Sequence, residues 1–367
     1  MIRLSKSSIS DAEKMAVMRV LDSEYLGMGS DVQEFEKSLT AFFGRPAVCV
    51  VNGTAALHLA LQSVGVGLGD EVLIQSLTYV ASFQAISATG ARPVACDVDP
   101  STLCLDLNDA ERRLTSKTRA IMPVHYSGGV GELDKIYAFA KKHGLRVIED
   151  AAHAFGSDYK GRKVGGFGDI SCFSFDGIKN ITSGEGGCIV TDDADVLRRI
   201  KDARLLGVIK DTENRYEGKR SWKFDVELQG WRYHMSNIMA AIGSVQLSRF
   251  EKLAEQRQEL AAHYQNLLKD DCRLKTIKIN YREVVPHIFT VVLSEGTDRE
   301  LIRAKLLERK IETGIHYYPN HLHSLYKDKG KFPVTDAIEP HILTLPLHPD
   351  LDFMDVDYVV NNLIEVL

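Results

Sequence analysis

From about residue 46 onward, short apolar runs alternate with helical patterns, and this alternation constrains the fold more than any other feature of the chain. The strand-like runs are residues 47–51, 71–75, 92–97, 119–125 and 146–149, and helical patterns cover residues 54–64, 80–89 and 132–143. Strands that alternate with helices predict a mainly parallel sheet with helices on both faces. Such sheets bind ligands at the carboxyl ends of their strands, so residues that directly follow a strand are candidate site residues.

The remainder of the chain predicts a second, smaller domain. A strand at 188–191 and a charged helix at 194–206 precede a polar stretch, 207–224, which is typical of a surface loop. A long helical pattern covers 236–268, with Ser236 as its candidate N-cap. We place the domain change inside that helix. A large domain then comprises residues 1–245, and a small α+β domain comprises residues 246–367.

Composition excludes several classes of protein. The apolar fraction of 44% and the charged fraction of 26% are ordinary for a globular chain. The 45 basic and 50 acidic residues give a net charge of −5, which argues against nucleic acid or an anionic membrane as partner. The first residues do not resemble a signal peptide, and no apolar run reaches the roughly 18 residues that span a bilayer. Six cysteines without a Cys-x-x-Cys pair favour a reduced, cytoplasmic protein.

Lys179 is the candidate catalytic residue. It lies in a polar turn between a strand-like run and several glycines, within residues 171–187, an arrangement that presents an amine beside a ligand. An amine of this kind can form a Schiff base with a carbonyl, and pyridoxal phosphate is the commonest cofactor for that chemistry. The alternative is a solvated surface lysine, which most lysines are.

A candidate phosphate site follows the first strand, at Asn52-Gly-Thr-Ala55. The backbone N–H groups of Gly53, Thr54 and Ala55 open a helix there and, with the Thr54 hydroxyl, can bind an anion. The alternative is that Thr54 merely caps the helix. Ser174, five residues before Lys179, could donate to the same phosphate.

Two further strands end in polar or aromatic residues. Asp150 could pair with a protonated pyridine nitrogen, and His153 could reach a phenolate oxygen of the same ring. For Asp150 alone, a magnesium-binding or helix-capping role is equally consistent with the sequence. Tyr79 could stack on a cofactor ring, although a tyrosine at such a position is more often part of the core.

A loop near the C-terminus contains three histidines, His316, His321 and His323, beside Tyr317. Zinc sites use tighter ligand sets supported by Cys or carboxylate, and Pro319 makes this spacing irregular. We therefore expect no metal here, and interpret the loop as one that contacts substrate.

Taken together and in this order, these segments resemble the sugar-nucleotide aminotransferases of the DegT/DnrJ/EryC1/StrS family, over nearly the whole chain. The most specific parts read Asn52-Gly-Thr-Ala-Ala-Leu-His-Leu-Ala-Leu61, Glu149-Asp-Ala-Ala-His-Ala154 and Ser174-Phe-Asp-Gly-Ile-Lys-Asn180. The resemblance implies the aspartate-aminotransferase fold (fold type I), with a three-layer α/β large domain and a smaller α+β C-terminal domain. It also implies a homodimer with active sites at the subunit interface.

The resemblance assigns roles by matching position. Lys179 would bond covalently to pyridoxal 5′-phosphate, Asp150 would pair with the pyridine nitrogen and His153 would lie near the ring oxygen. The phosphate would be held by the turn at Gly53, by Thr54, by the Ala55 amide and by Ser174, with Tyr79 over the ring. His316 and Tyr317 match a loop that contacts substrate in relatives.

One position departs from the pattern of many relatives, which have Gly-Tyr-Asn-Tyr-Arg where this chain has Gly230-Trp-Arg-Tyr-His234. The asparagine of those relatives reaches the neighbouring subunit's phosphate. Arg232 replaces it here and could keep that contact with more charge, or bind the diphosphate of a sugar nucleotide.

The activity that the resemblance implies is transfer of an amino group, most often from glutamate, to a nucleotide-linked keto sugar, with pyridoxamine 5′-phosphate as intermediate. Residues 182–187 resemble relatives that aminate carbon 4, which predicts a 4-amino-4,6-dideoxyhexose for a surface polysaccharide of the O-antigen type. The alternatives are amination at carbon 3, amination of a cyclitol ketone, and a non-catalytic regulatory homologue.

Overall fold

The computed structural model describes residues 1–367 and contains twelve strands and thirteen α-helices. The strands are β1 (Ala47–Val50), β2 (Glu71–Gln75), β3 (Arg92–Cys96), β4 (Thr118–Met122), β5 (Arg146–Asp150), β6 (Asp158–Tyr159), β7 (Arg162–Lys163), β8 (Ile170–Ser174), β9 (Gly187–Val190), β10 (Leu274–Thr276), β11 (Phe289–Leu293) and β12 (Ile342–Leu345). The helices are α1 (Asp11–Asp22), α2 (Ser30–Phe43), α3 (Gly53–Ser63), α4 (Val80–Ala88), α5 (Leu107–Arg113), α6 (Leu133–His143), α7 (Ala194–Ala203), α8 (Asp211–Tyr216), α9 (Asn237–Ser248), α10 (Phe250–Leu268), α11 (Arg299–Glu308), α12 (Pro333–Ile338) and α13 (Phe353–Val366).

A seven-stranded sheet in the order β1-β9-β8-β5-β4-β2-β3 forms the centre of the large domain. The pairs from β8 through to β3 are parallel. Strand β9 pairs antiparallel with both of its neighbours, β1 and β8, and so runs against the other six. The predicted mainly parallel sheet is confirmed.

Alternate strand residues pack on opposite faces of this sheet, because the side-chain period of a strand is two. In β2, Val72 and Ile74 belong to an apolar cluster that also contains α3, α4 and α7 residues. Leu73, between them, belongs to a separate cluster formed with α2 and α6. Helices therefore cover both faces, which explains why the strands are continuous apolar runs rather than alternating ones. The predicted three-layer α/β domain is confirmed.

The smaller domain has its own core around a three-stranded antiparallel sheet, β10-β11-β12. Helices α11 and α13 and the second half of α10 pack on it. The first half of α10 contributes Phe250 and Ala254 to the core of the large domain instead. We therefore propose the same domain boundary that was predicted from the sequence, after residue 245 and within the segment formed by α9 and α10.

The prediction of a single long helix over residues 236–268 is wrong. Ser236 does cap α9, accepting from the Met239 N–H over 3.3 Å, but the helix breaks at Arg249, whose φ of −98° and ψ of −2° end it. The side chain of Arg249 pairs there with the buried carboxylate of Glu13, in α1. Because the two helices keep nearly the same apolar spacing on either side, periodicity alone does not reveal the break.

Two other boundaries also differ from the prediction. The polar stretch 207–224 is not simply a loop, since it contains α8, whose first residues Asp211 and Thr212 are buried. Strand β4 ends at Met122 rather than at 125, because Pro123 follows it and cannot donate to a ladder. All six cysteines are free, and none of the helices has the length and apolar character needed to cross a membrane.

Candidate active site

A cavity of about 520 Å³ opens at the carboxyl ends of the parallel strands, beside the first turn of α3. That size suits a small-molecule or cofactor site. Most of the residues singled out in the sequence line it together, namely Gly53, Thr54, Tyr79, Asp150, His153, Ser174, Lys179, His316 and Tyr317. Ala55, Arg232, His321 and His323 do not.

Lys179 reaches the cavity from a tight turn after β8. The carbonyl of Asp176 accepts from the Lys179 N–H over 3.1 Å, and the Asp176 carboxylate accepts from the Ile178 N–H over 3.2 Å. Burial, with a smaller contribution from Arg257, lowers the pKa of Lys179 to about 8, against the opposing charges of Asp150 and Asp176. The neutral, nucleophilic form of the amine is therefore far more populated near neutral pH than it is in an ordinary lysine. The solvated-lysine alternative does not hold.

The first turn of α3 provides the anion site, and two of its three predicted amides have no acceptor within the chain. Asn52 is the N-cap, and its Oδ1 accepts from the Ala55 N–H over 2.8 Å. The Ala55 amide is therefore already bonded within the chain, and its contact with a phosphate stays a prediction. The amides of Gly53 and Thr54 have no acceptor within the protein. Thr54 does not cap the helix, and its exposed hydroxyl stays available.

Gly53 brings Ser174 close to this turn. A Cβ atom on residue 53 would lie 2.9 Å from Cβ and 3.2 Å from Oγ of Ser174, closer than real contacts allow. The absence of a side chain at 53 thus lets the hydroxyl of Ser174 face the same space as the free amides. Together with the positive end of the α3 dipole, these groups form a cradle for a phosphate.

Asp150 ends β5 with its carboxylate buried and hydrogen-bonded. Its Oδ2 accepts from Ser82 Oγ over 2.6 Å, and its Oδ1 accepts from the Ala152 N–H over 3.2 Å. No lysine, arginine or histidine forms a salt bridge with it, so the carboxylate lacks a cationic partner within the chain. A buried carboxylate of this kind is suited to a cationic N–H donor from a ligand. No group of three or more His, Cys, Asp or Glu residues is placed to hold a metal ion.

His153 and Tyr317 form a hydrogen-bonded pair in the cavity wall. The Ser127 backbone N–H donates to His153 Nδ1 over 3.3 Å, which leaves the ring proton on Nε2, 2.9 Å from Tyr317 Oη. Burial, with Lys179 and His316 nearby, holds the pKa of His153 well below its usual range. His153 is therefore neutral and offers a polar edge rather than a charge.

The aromatic and histidine residues of the rim have distinct positions. The Tyr79 side chain is 60% exposed, so the alternative that it belongs to the core does not hold. Its ring centroid lies 5.7 Å from that of Tyr317. His316 Nδ1 lies 2.9 Å from Thr344 Oγ1, and burial, followed by the charge of Lys179, lowers the pKa of His316 to about 4.

The other two histidines of the loop play no part in the cavity. His321 is held by Ser76 at 2.7 Å and by Asp336 at 2.9 Å, so both ring nitrogens are occupied. His323 packs on Tyr318, with ring centroids 5.2 Å apart.

Arg232 lies outside the main cavity. It is exposed and lines a smaller one of about 110 Å³ together with His234 and Phe224. Its guanidinium forms no salt bridge within the chain. Lys179 is thus the one lysine or arginine among the residues that line the main cavity.

Sequence reasoning missed several polar residues of the site, among them Ser82, Glu185 and His287. Ser82 lies within an apolar helix pattern, and its contact with Asp150 spans 68 positions. Glu185 belongs to the glycine-rich motif after Lys179 and could have been singled out from it. His287 opens a strand-like run that carries no motif, so the sequence gives no signal for its role.

A phosphorylated aromatic aldehyde with a basic ring nitrogen fits the groups of this cavity. The amides at Gly53 and Thr54 suit its phosphate, the uncompensated carboxylate of Asp150 suits its ring nitrogen, and the Lys179 amine suits its aldehyde. Pyridoxal 5′-phosphate is such a molecule.

Comparison with known proteins agrees with this chemistry. The model of the DegT/DnrJ/EryC1/StrS aminotransferase family matches residues 7–364. The spore coat polysaccharide biosynthesis protein SpsC of Bacillus subtilis (strain 168) is 37% identical over 371 residues, covering 98% of this chain and 95% of that protein.

Solved structures resemble the whole fold. The aminotransferase TlmJ of Streptoalloteichus hindustanus superposes with a TM-score of 0.92 at 31% identity, covering 100% of this chain and 98% of that one. The putative sugar aminotransferase Spr1654 of Streptococcus pneumoniae, in its PMP form, has a TM-score of 0.91 at 30% identity, with coverage of 100% and 97%. The same protein is also known in a PLP form.

Proposed function

The chain belongs to the DegT/DnrJ/EryC1/StrS aminotransferase family, and on that premise we propose that it transfers an amino group from glutamate to carbon 4 of a nucleotide-linked 4-keto-6-deoxyhexose. It is a pyridoxal phosphate-dependent aminotransferase of fold type I. The observation that carries the proposal is the convergence of Lys179, Asp150 and the α3 phosphate cradle on one cavity.

The proposed role of each residue follows from its position in the cavity. Gly53, Thr54 and Ser174 would hold the phosphate, and Asp150 would hold the ring nitrogen in its protonated form. The bound cofactor supplies an electron sink that stabilises negative charge on the substrate carbon. The Lys179 amine, with a pKa of about 8, would take a proton from that carbon as a general base and deliver it, as a general acid, to the carbon of the cofactor's aldehyde group.

Two observations support a sugar substrate and its carbon 4. SpsC, with 37% identity, is described as a spore coat polysaccharide biosynthesis protein, which supports an amino sugar destined for a surface polysaccharide, and we extend this to an O-antigen-type product. Residues 182–187 resemble relatives that aminate carbon 4, and Glu185 of that motif lines the cavity, where it can contact the sugar. Amination at carbon 3, or of a cyclitol ketone, remains the second candidate.

We expect the purified protein to aminate a 4-keto-6-deoxy nucleotide sugar with glutamate as donor, and to leave the 3-keto isomer largely unchanged. Product formation is followed by mass spectrometry, and the position of the new amine by NMR. The controls omit glutamate or use Lys179→Ala. Amine found on carbon 3, or on a cyclitol ketone alone, refutes the carbon-4 assignment and leaves the aminotransferase mechanism intact.

We also propose that the protein acts as a homodimer in which Arg232 completes the partner's site. A bound phosphate carries close to two negative charges, yet Lys179, which is used covalently, is the single lysine or arginine of the cavity lining. Arg232 is exposed and makes no salt bridge in its own chain, so it is available to a neighbour. A guanidinium suits bidentate contact with phosphate oxygens.

Arg232→Ala is expected to weaken cofactor binding about 10- to 100-fold, the loss typical of one charge-assisted hydrogen bond. Arg220→Ala, an exposed arginine of the same segment, is the matched control. Subunit mixing sharpens the test, because a dimer of one Lys179→Ala chain and one Arg232→Ala chain contains one site with both native groups. Recovered activity at limiting cofactor supports the shared site, whereas a monomer by light scattering, or no recovery, rejects it.

A further inference from the structure

His287 lies beside the reactive amine, and no role has been assigned to it so far. Its Nε2 is 3.4 Å from Lys179 Nζ, across 108 positions of the chain. The residue is 3% exposed and precedes β11 of the small domain. The contact therefore joins the lysine turn of the large domain to the core of the small one.

The position of the imidazole is set by backbone contacts that also hold the lysine turn. The buried guanidinium of Arg257 donates through Nη1 to the carbonyls of His287 and Leu347, each over 3.2 Å, and through Nη2 to the carbonyl of Ile178 over 3.4 Å. Ile178 is the residue before Lys179. The Arg257 side chain thus binds the backbone of both His287 and the lysine turn, and these contacts limit the distance between them.

The ring of His287 is a hydrogen-bond acceptor rather than a cation in this setting. Its centroid lies 4.5 Å from that of His153, and its Nδ1 has no partner in the protein. Burial, followed by Lys179 and His153, holds the pKa of His287 well below its usual range. With a pKa of about 8, Lys179 is mainly an ammonium near neutral pH, and an ammonium can only donate. A neutral His287 therefore accepts at Nε2, which faces the amine, and carries its proton on Nδ1.

The geometry points to His287 as a positioning residue that accepts a hydrogen bond from Lys179 Nζ and so fixes the direction of the amine whenever it is not bonded to the cofactor. This inference rests on the role proposed above for Lys179. A lysine side chain that rotated freely would transfer protons more slowly than one held in place. Proton transfer requires the amine to lie within hydrogen-bond distance of the reacting atom and in line with it.

The charged and polar groups around the Lys179 amine determine how a substitution at His287 should change the pKa of Lys179. The groups that face it are the carboxylates of Asp150 and Asp176, the cation of Arg257, and the imidazoles of His153, His287 and His316. An acceptor at His287 stabilises the ammonium form more than the neutral amine. Its removal is therefore expected to lower the pKa of Lys179 below its present value of about 8.

The test compares His287→Leu, which removes the acceptor, with His287→Gln, whose amide oxygen can reach the position of Nε2. In the full-length protein freed of cofactor, the pH dependence of Lys179 acylation by acetic anhydride, read by peptide mass spectrometry, gives the pKa of the amine. We expect a fall of about one unit for His287→Leu, as for a lost charge-assisted hydrogen bond, and a value close to wild type for His287→Gln.

A second readout uses the holoenzyme. Because the residue acts on the freed amine rather than on substrate, His287→Leu should lower kcat about tenfold or more with little change in KM, and His287→Gln should restore much of it. His348→Gln is the control for loss of a buried imidazole, since His348 is 4% exposed and lies outside the main cavity. Thermal unfolding of each variant reports any loss of folding.

Two outcomes overturn the inference: an unchanged pKa of Lys179 in His287→Leu, or equal effects of His287→Leu and His287→Gln on kcat, which would indicate a packing role. The acylation measurement needs no sugar substrate. A protein that fails to aminate keto sugars, yet shows the shifted pKa, contradicts the proposed substrate and leaves the His287 contact established.

Discussion

Lys179→Ala is expected to abolish measurable turnover while the protein still binds cofactor noncovalently. The substitution removes the one amine of the cavity, and with it both the covalent attachment and the proton carrier. A positioned general acid–base contributes roughly 10²–10⁴-fold on its own. The groups of the phosphate cradle, Gly53, Thr54 and Ser174, are untouched, so gel filtration should still recover bound cofactor by its absorbance.

Two controls separate the causes of this loss. Lys179→Arg keeps a positive charge but has no nucleophilic amine, so it should be as inactive as Lys179→Ala. Lys117→Ala, at an exposed lysine remote from the cavity lining, should retain wild-type rates. Borohydride reduction should attach cofactor to the peptide that contains Lys179 in the wild type and in no Lys179 variant. Turnover within tenfold of wild type in Lys179→Ala removes this residue from the mechanism.

Asp150→Asn is expected to lower kcat roughly 100-fold or more, equivalent to about 2.7 kcal/mol of transition-state stabilisation. Asparagine preserves the size of the side chain and can still accept from Ser82, but it lacks the negative charge that keeps a bound ring nitrogen protonated. The same charge raises the pKa of Lys179 against the effect of burial. Its removal should therefore move the amine pKa further below about 8.

Asp176→Asn is the matched control, because Asp176 also lines the cavity and also raises the pKa of Lys179. If Asp150 acted through the amine alone, both substitutions would reduce the rate by similar factors. We expect the loss in Asp150→Asn to be at least tenfold greater, measured as kcat at saturating cofactor. Near-normal rates for Asp150→Asn would overturn the role assigned to its carboxylate.

The local sequence was sufficient to predict the residues of the cavity that lie immediately after strands. Asp150, Ser174 and Lys179 were predicted from their positions at the ends of apolar runs, and parallel strands bring such positions to one edge of the sheet. The fold class, the family and the cofactor were predicted from the same segments and are confirmed.

Other parts of the site depended on contacts between distant positions. The side chain of Asn52, as N-cap, accepts from the Ala55 amide, one of the three amides predicted to bind the phosphate. Sequence spacing does not reveal that contact. Arg249, where α9 ends and α10 begins, pairs with Glu13, 236 positions away in the chain. The contact of His287 with Lys179 requires the small domain to pack on the large one.

The sequence by itself therefore determined the α/β sheet, the lysine turn and the acid and hydroxyl groups that line the cavity, because strand and helix periodicity and strand-end positions are local properties. The tertiary structure alone decided which amides stay free, which helix breaks and which histidine reaches the amine. Hydrogen bonds and burial between segments far apart in the chain set those features, and no local pattern encodes them.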